Sequence, residues 1–243
     1  MSSSLISLQT ILYNYQETNL KIQSFQSKHN DSLITFIIPS INRDTLLQTL
    51  LSIINQTNTQ WKAILIFDGC EPSSPELFHL LQDDRFLYFS IHKTGIESNT
   101  NNIHGKAGFV RNIGMQLVTT PWIGLVDDDD TLTPNYIDTL INEYHQTPNA
   151  DLILFRMLNK IHIYPPNQLM TIERNKVGIS FCFQTKLVQE GFRFNQSQNE
   201  DFEFIHQIDQ AHKIIVISSE ITYLVGKSKY LPIFSPRIVL NQT

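Results

Sequence analysis

Short apolar runs alternate with amphipathic stretches over the first half of the chain. Four runs have the composition of buried parallel strands, and they lie at 33–38, 63–67, 86–90 and 122–126. Helices are predicted between them at 44–55, 75–81 and 106–119. A polar, turn-rich stretch at 91–105 is expected to be a surface loop. The alternation predicts an α/β fold, with βαβ units in a Rossmann-like, mainly parallel central sheet flanked by helices.

The pattern is less regular in the second half of the chain. Helices are predicted at 134–145 and 199–211, and strands at 151–157, 160–164, 178–183, 214–217 and 221–225. Near the N-terminus, the helical spacing of four apolar residues predicts a peripheral helix packed on the main body: Leu5, Leu8, Leu12 and Tyr15. We therefore divide the chain into an N-terminal helical extension at 1–30, one domain at 31–226 and a C-terminal tail at 227–243.

Four consecutive aspartates, Asp127 to Asp130, directly follow the apolar run at 122–126. Adjacent carboxylates repel one another, so at the end of a buried strand they need a compensating positive charge. A hard divalent cation such as Mg²⁺ or Mn²⁺ prefers oxygen ligands and often shares its shell with phosphate. Ligands of parallel sheets bind beyond the carboxyl ends of the strands, so Asp68 is expected at the same rim. A solvated acidic turn at a helix N-terminus is the alternative interpretation.

Composition limits the classes of function. The 243 residues carry a formal net charge of -5, so no overall positive field is available to hold nucleic acid. No apolar stretch approaches the roughly 20 residues that span a bilayer, and the first residues lack the features of a signal peptide. Cys70 and Cys182 form no metal-ligand pattern. We expect a cytoplasmic chain with reduced thiols and no integral membrane segment, either soluble or peripheral to a membrane.

Six stretches, taken in order, resemble the motifs of family 2 glycosyltransferases of the GT-A fold. They are FIIPSINR (36–43), SIINQT (52–57), IFDG (66–69), AGFVRNIG (107–114), LVDDDDTL (125–132) and NEDF (199–202). The resemblance covers about 32–211 and implies a GT-A domain with a smaller acceptor-side β element. It also implies inverting transfer of a sugar from a nucleotide-sugar donor to a saccharide, protein or lipid-linked acceptor, assisted by Mn²⁺ or Mg²⁺.

On the donor side, the family's Asp-x-Asp motif falls on Asp127 and Asp129, which would hold the metal on the donor diphosphate. Asp130 would lie nearer the sugar, and Asp128 would be the solvated spacer of this donor-binding segment. Further donor contacts are implied for six residues: Pro39, Ser40, Arg43, Asp68, Arg111 and Asn112.

Three of these donor-side residues have particular roles or alternatives. Asp68 would accept a hydrogen bond from the ring N–H of the nucleobase, which favours uridine and a UDP-sugar. Phe67 stands where the family commonly has a second acidic residue. Arg43 is either a donor ligand or an ordinary surface arginine at a helix start. Arg111 either pairs with the donor phosphate or forms a salt bridge with the aspartates.

On the acceptor side, the family's Glu-Asp motif falls on Glu200 and Asp201. Asp201 would be the base that takes the proton of the acceptor hydroxyl, with Glu200 as a supporting acid. Without the resemblance, an acidic pair that caps its own helix would explain both residues. His206 lies on the same predicted helix and His212 directly after it, and surface positions are the preferred interpretation for both.

Two other functions remain possible on the sequence alone. A sugar-phosphate nucleotidyltransferase also combines an α/β sheet with acidic metal ligands, but it usually has a glycine-rich loop after the first strand, where this chain has Pro39 to Arg43 and no glycine. A non-catalytic nucleotide-sugar-binding module would need no base, so the presence of Asp201 argues against it. The oligomeric state is not predicted.

Overall fold

The computed structural model describes residues 8–94, 106–167, 171–195 and 197–226. Its strands are β1 (Ile34–Ser40), β2 (Trp61–Asp68), β3 (Phe86–Ile91), β4 (Trp122–Leu125), β5 (Thr131–Leu132), β6 (Leu152–Asn159), β7 (His162–Tyr164), β8 (Phe181–Gln184) and β9 (Ile215–Val225). Its helices are α1 (Leu8–Ile11), α2 (Tyr15–Ser27), α3 (Leu46–Ile54), α4 (Pro75–Leu80), α5 (Lys106–Met115), α6 (Tyr136–Gln146), α7 (Lys186–Gln189) and α8 (Glu200–Gln210).

The nine strands form one sheet in the order β3-β2-β1-β4-β8-β6-β9-β5, and β7 pairs with β6. The first four strands in this order are parallel, which confirms the predicted α/β core. Every residue of β1, β2 and β4 is buried, as expected for strands covered by helices on both faces. Beyond β4 the sheet is mixed, because β8 pairs antiparallel with both β4 and β6.

The register of the parallel strands places the chemically interesting residues at one rim. Ser40 pairs with Phe67 at the carboxyl ends of β1 and β2, directly before Asp68. The last pair between β1 and β4 is Ile37 with Leu125, two residues before Asp127. The carboxyl ends of three neighbouring strands therefore lead into the predicted donor-binding residues.

Two strand predictions need correction. Pro39 and Ser40 lie inside β1 and do not follow it. Pro39 is tolerated because β4 pairs with β1 only as far as Ile37, so the missing N–H faces no ladder partner on that side. The runs predicted as separate strands at 214–217 and 221–225 form the single strand β9. Its pairing with β6 continues across a register shift between Ile217 and Ile221, where β9 has extra residues and the buried Ser218 donates to Glu143.

The N-terminal extension also differs from its prediction. One helix was expected through Leu8, Leu12 and Tyr15, but α1 ends at Ile11 and α2 begins at Tyr15. The side chain of Asn14 accepts a hydrogen bond from the backbone N–H of Glu17, which starts α2 afresh. The helix that packs on the sheet is therefore α2, and its spacing of buried residues was not recognised: Thr18, Ile22 and Phe25.

Some expectations fall outside the described residues, namely Leu5, most of the loop predicted at 91–105, and the tail at 227–243. β5 and α7, which are only 2 and 4 residues long, had no predicted counterpart. Both cysteines are free, and Cys182 is buried in β8. None of the helices within the described ranges is long and apolar enough to cross a membrane.

Candidate active site

The four aspartates after β4 have four different environments. Asp127 and Asp129 are partly exposed, with 33% and 44% of their side-chain surface accessible. Asp128 and Asp130 are buried. Arg111 pairs with Oδ1 of Asp127 at 2.5 Å, and Arg43 pairs with Oδ1 of Asp129 at 3.1 Å. This alternation of partly exposed and buried carboxylates excludes a uniformly solvated acidic turn.

Asp128 is an internal anchor, so its interpretation as a solvated spacer was wrong. Only 3% of the residue is exposed. Its carboxylate accepts hydrogen bonds from Ser40 Oγ at 2.8 Å and from the backbone N–H of Ile41 at 3.0 Å, and it pairs with Arg43 at 2.6 Å. Its backbone carbonyl accepts from Thr45 Oγ1 at 2.9 Å. Asp128 therefore holds the turn between β1 and α3 against the acidic segment, as we call residues 127–130.

Asp130 is held from the opposite side of the segment. Its Oδ1 accepts the backbone N–H of Gly226 at 2.7 Å. Burial raises the pKa of Asp130 to about 7, and the charge of Asp127 adds to this shift. The Tyr223 hydroxyl also accepts the backbone N–H of Asp127 at 3.1 Å. β9 thus supports the acidic segment, and the sequence pattern gave no sign of this role.

A single guanidinium connects the acidic segment to the Glu-Asp motif. Arg111 lies in α5, is almost completely buried, and pairs with Asp127 and with Glu200, while Asp201 lies 3.7 Å away. Burial alone would lower the pKa of Arg111, but the three carboxylates together raise it well above its ordinary value. The predicted salt bridge between Arg111 and the aspartates is therefore present. Its partners Asp127 and Glu200 lie 16 and 89 positions from Arg111 in the sequence.

The two acids at the start of α8 differ from a helix-capping pair. The Glu200 carboxylate accepts the backbone N–H of Gly108 at 2.9 Å and pairs with Arg111, so both partners belong to α5. Burial raises the pKa of Glu200 to about 7, against the opposing charge of Arg111. Burial also raises the pKa of Asp201 to about 6. Among the described residues, Oδ1 of Asp201 is buried and has no hydrogen-bond partner, although 31% of the side chain is exposed.

Close packing at Gly108 explains how α5 and α8 approach each other. A Cβ atom at this position would lie 2.4 Å from Oε2 of Glu200 and 2.9 Å from Cβ of Phe194. Asn112, one turn further along α5, donates to the carbonyl of Phe194 and accepts its backbone N–H, at 2.8 and 2.9 Å. Asn112 was predicted to bind the donor, and in this structure its amide group holds the segment before α8.

At the end of β2, Asp68 is nearly buried and is held by a residue that the sequence did not indicate. Its two carboxylate oxygens accept from the backbone N–H and the hydroxyl of Thr94, both at 2.7 Å. Each carboxylate oxygen has two lone pairs, so one acceptor site on each remains. Gly69 follows with a φ of +71°, a conformation that favours glycine. Asp68 is therefore oriented before any ligand arrives.

A divalent cation is compatible with Asp127 and Asp129. Within the described ranges, no three His, Cys, Asp or Glu side chains converge to hold an ion. Mg²⁺ in phosphate-handling sites is commonly bound by one or two carboxylates, with phosphate and water completing its shell. Burial raises the pKa of Asp129, and Asp127 and Asp128 add to the shift against Arg43. Added positive charge would relieve this repulsion, which fits the donor set. His206 and His212 are exposed.

The sequence profile described as Glycosyl transferase family 2 matches residues 35–218. The glucosyl-dolichyl phosphate glucuronosyltransferase of Haloferax volcanii is 29% identical over 103 residues, which are 42% of this chain and 30% of that protein. The chain spans under half the length of the curated relatives it matches.

Two solved structures share the architecture. One is Staphylococcus aureus TarS 1–349 in complex with UDP-GlcNAc, with a TM-score of 0.62 and 14% identity over 85% of this chain and 62% of that chain. The other is the mannosyltransferase PcManGT from Pyrobaculum calidifontis in complex with GDP-Man and Mn²⁺, with a TM-score of 0.60 and 11% identity over 89% of this chain and 66% of that chain. These likenesses show a fold of the GT-A type. With more than half of its length matched by the family profile, this chain belongs to glycosyl transferase family 2.

Proposed function

We propose that this domain transfers a sugar from a nucleotide-sugar donor, preferentially a UDP-sugar, to a hydroxyl of a saccharide, protein or lipid-linked acceptor. The observation that carries the proposal is the position of Arg111 between Asp127 and Glu200, with Asp201 alongside. The carboxylates of the two family motifs meet around one guanidinium. Groups that would bind the nucleotide-sugar donor therefore lie next to the carboxylate that would deprotonate the acceptor hydroxyl, which favours reaction between the two substrates.

On the side of the nucleotide-sugar donor, the chain offers an oriented carboxylate, Asp68, and a partly exposed guanidinium, Arg43. Asp68 would accept the ring N–H of the nucleobase, as a residue whose orientation Thr94 already fixes. Arg43 lies beside Asp128 and Asp129 with nearly half of its side chain exposed, so it can also reach a donor phosphate oxygen. A divalent cation held by Asp127 and Asp129 would supply positive charge to the leaving diphosphate.

On the acceptor side, Asp201 would act as the general base. Its raised pKa of about 6 lies near neutral pH, where a base is ionised yet still accepts a proton effectively. The acceptor hydroxyl loses its proton to Asp201, its oxygen bonds to the anomeric carbon, and the bond from that carbon to the phosphate oxygen breaks. The electron pair leaves with the nucleoside diphosphate. Attack from the face opposite the leaving group inverts the anomeric centre.

The test compares wild-type protein with Asp201→Asn and Asp129→Ala in release of UDP from UDP-sugars with Mn²⁺. The loss of a general base is expected to lower the rate by about 10²- to 10⁴-fold in Asp201→Asn. Donor binding by this variant should remain close to that of the wild type, because Asp201 does not contact the donor in this scheme. Asp129→Ala should instead lose the Mn²⁺-dependent part of donor binding.

A matched control is Asp209→Asn, which changes an exposed aspartate of the same helix, α8. This variant should retain the wild-type rate and affinity. Full activity in Asp201→Asn would remove the proposed base, and unchanged Mn²⁺ dependence in Asp129→Ala would remove the proposed metal ligand. Pyrophosphate release from a nucleoside triphosphate and a sugar phosphate would point to a nucleotidyltransferase.

A further inference from the structure

The N-terminal extension, residues 8–28, reaches the rim of the sheet although it lies outside the family match, which begins at residue 35. Leu12 forms an antiparallel β-bridge with Ile91, the last residue of β3. The backbone N–H of His92 donates to the carbonyl of Ile11 at 2.8 Å. The ring of Tyr13 packs edge-on against the ring of His92, with centroids 4.4 Å apart. Three consecutive residues of the extension therefore hold the carboxyl end of β3.

The segment they hold is the one that orients Asp68. The backbone N–H of Gly69 donates to the carbonyl of Ile91 at 3.0 Å, and Thr94 donates twice to the Asp68 carboxylate. A Cβ atom at Gly69 would lie 2.4 Å from Cβ of Lys93, so the two segments are packed without spare room. A displacement of residues 91–94 would therefore move the hydrogen-bond donors of Asp68.

Buried hydrogen bonds attach the extension to the main domain, so it can hold residues 91–94 in place. Lys62 in β2 is 1% exposed, and its ammonium group donates to the backbone carbonyls of Phe25 and Lys28 at 2.6 and 2.8 Å. Gln26 donates to the carbonyl of Leu117 at 3.0 Å. Because the buried lysine has both of these acceptors in the extension, removing the extension would leave a charged donor unpaired in the interior.

We propose that the segment from Ile11 to Tyr13 supports the nucleotide site by holding residues 91–94, with Tyr13 as a positioning residue. It fixes residues 91–94, and through Thr94 it fixes the Asp68 carboxylate that accepts from the nucleobase. β3 is the terminal strand of the described sheet order, so its carboxyl end depends on this support. The inference rests on the proposed function and adds to it an element that the family match does not contain.

The test uses the full chain and three variants: Tyr13→Ala, Tyr13→Phe and Leu20→Ala. Removing one aromatic pair is expected to raise the Kd for UDP in the presence of Mn²⁺ by about three- to tenfold in Tyr13→Ala. Tyr13→Phe keeps the ring and should keep the wild-type Kd. Leu20 is an exposed residue of α2 that serves as the matched control, and its replacement should leave the Kd unchanged.

Two further measurements separate positioning from general loosening of the fold. In Tyr13→Ala, KM for the donor should rise with kcat unchanged, because Asp201 and Arg111 are not touched. Exchange of the Thr94 backbone amide, followed by NMR without nucleotide, should accelerate in this variant and not in Leu20→Ala. A general loosening would instead lower Tm and kcat together.

The outcomes distinguish this inference from the proposed function. If wild-type protein binds UDP and Tyr13→Ala binds it equally well, the inference is overturned and the proposed function stands. An equal rise in Kd for Tyr13→Ala and Leu20→Ala would also overturn it. If wild-type protein binds neither UDP nor GDP with Mn²⁺, the proposed function fails and the inference falls with it.

Discussion

Replacing Arg111 by methionine should destabilise the protein strongly at pH 8 and much less at pH 5. Arg111 is almost completely buried and provides the only guanidinium within ion-pair distance of Glu200 and Asp201 among the described residues. Methionine fills a similar length of the cavity without the charge. The substitution therefore leaves Glu200, Asp201 and Asp127 facing one another without a cation between them.

The expected magnitude follows from the burial of the pair. Removing one partner of a buried ion pair costs about 3–5 kcal/mol, because the other charge stays desolvated. Glu200 and Asp201 have folded-state pKa values raised to about 7 and 6, so each favours the folded state in its protonated form. The folded protein therefore loses stability as the pH rises from the pKa that each group has in the unfolded chain to its higher pKa in the folded state. At pH 5 both carry protons in the folded state, and a loss of about 1–2 kcal/mol from missing hydrogen bonds remains.

The assay is urea unfolding at pH 8 and pH 5, followed by circular dichroism. Arg174→Met is the control, since Arg174 is an exposed residue whose pair with Glu203 is 3.8 Å long. Such a pair is worth about 0–1 kcal/mol. The double variant Arg111→Met/Glu200→Gln should regain part of the loss at pH 8. An equal loss at the two pH values, or no recovery in the double variant, would refute the electrostatic account.

Two further predictions concern close packing and the extension. Gly108→Ala should lower transfer activity by at least about tenfold with the circular dichroism spectrum unchanged, because the added methyl group displaces Glu200 and small misplacements in a site are costly; retained activity would show that α5 and α8 can separate freely. Lys62→Ala should cost about 1–3 kcal/mol in urea unfolding, since it leaves the carbonyls of Phe25 and Lys28 without their buried donor; an unchanged midpoint would mean that water replaces the ammonium group.

The parallel half of the fold could be predicted because its strands are buried on both faces. Such strands are continuous apolar runs, and β1, β2 and β4 were recognised with errors of a few residues at their ends. The mixed half gave weaker signals, since polar residues interrupt β9 and β5 contains only two residues. Burial of both strand faces therefore explains why the parallel half was predicted. The mixed half depends on pairing between distant segments, which local sequence patterns do not show.

The site was predictable where motif residues follow one another in the chain, and less so where distant segments meet. A run of four identical aspartates carries no signal of which side chain turns inward. That choice is made by Ser40 and Ile41, which supply hydrogen-bond donors to Asp128 from another strand end. The partners Thr94 and Tyr223 likewise act over 26 and 96 positions. Their roles depend on contacts that no local pattern encodes.

The charge balance of the site is the reason why we expect donor binding to require a divalent cation. Six carboxylates lie in the cluster, from Asp127–Asp130 and Glu200–Asp201, and two arginines are paired with them, Arg43 and Arg111. Even with protons on the groups whose pKa is raised to about 6 or 7, the cluster remains negative at neutral pH. A nucleoside diphosphate adds further negative charge. Its affinity should therefore depend on a divalent cation that the partly exposed Asp127 and Asp129 can share with the phosphates. The dependence of UDP binding on Mn²⁺ is the most direct measure of the proposal.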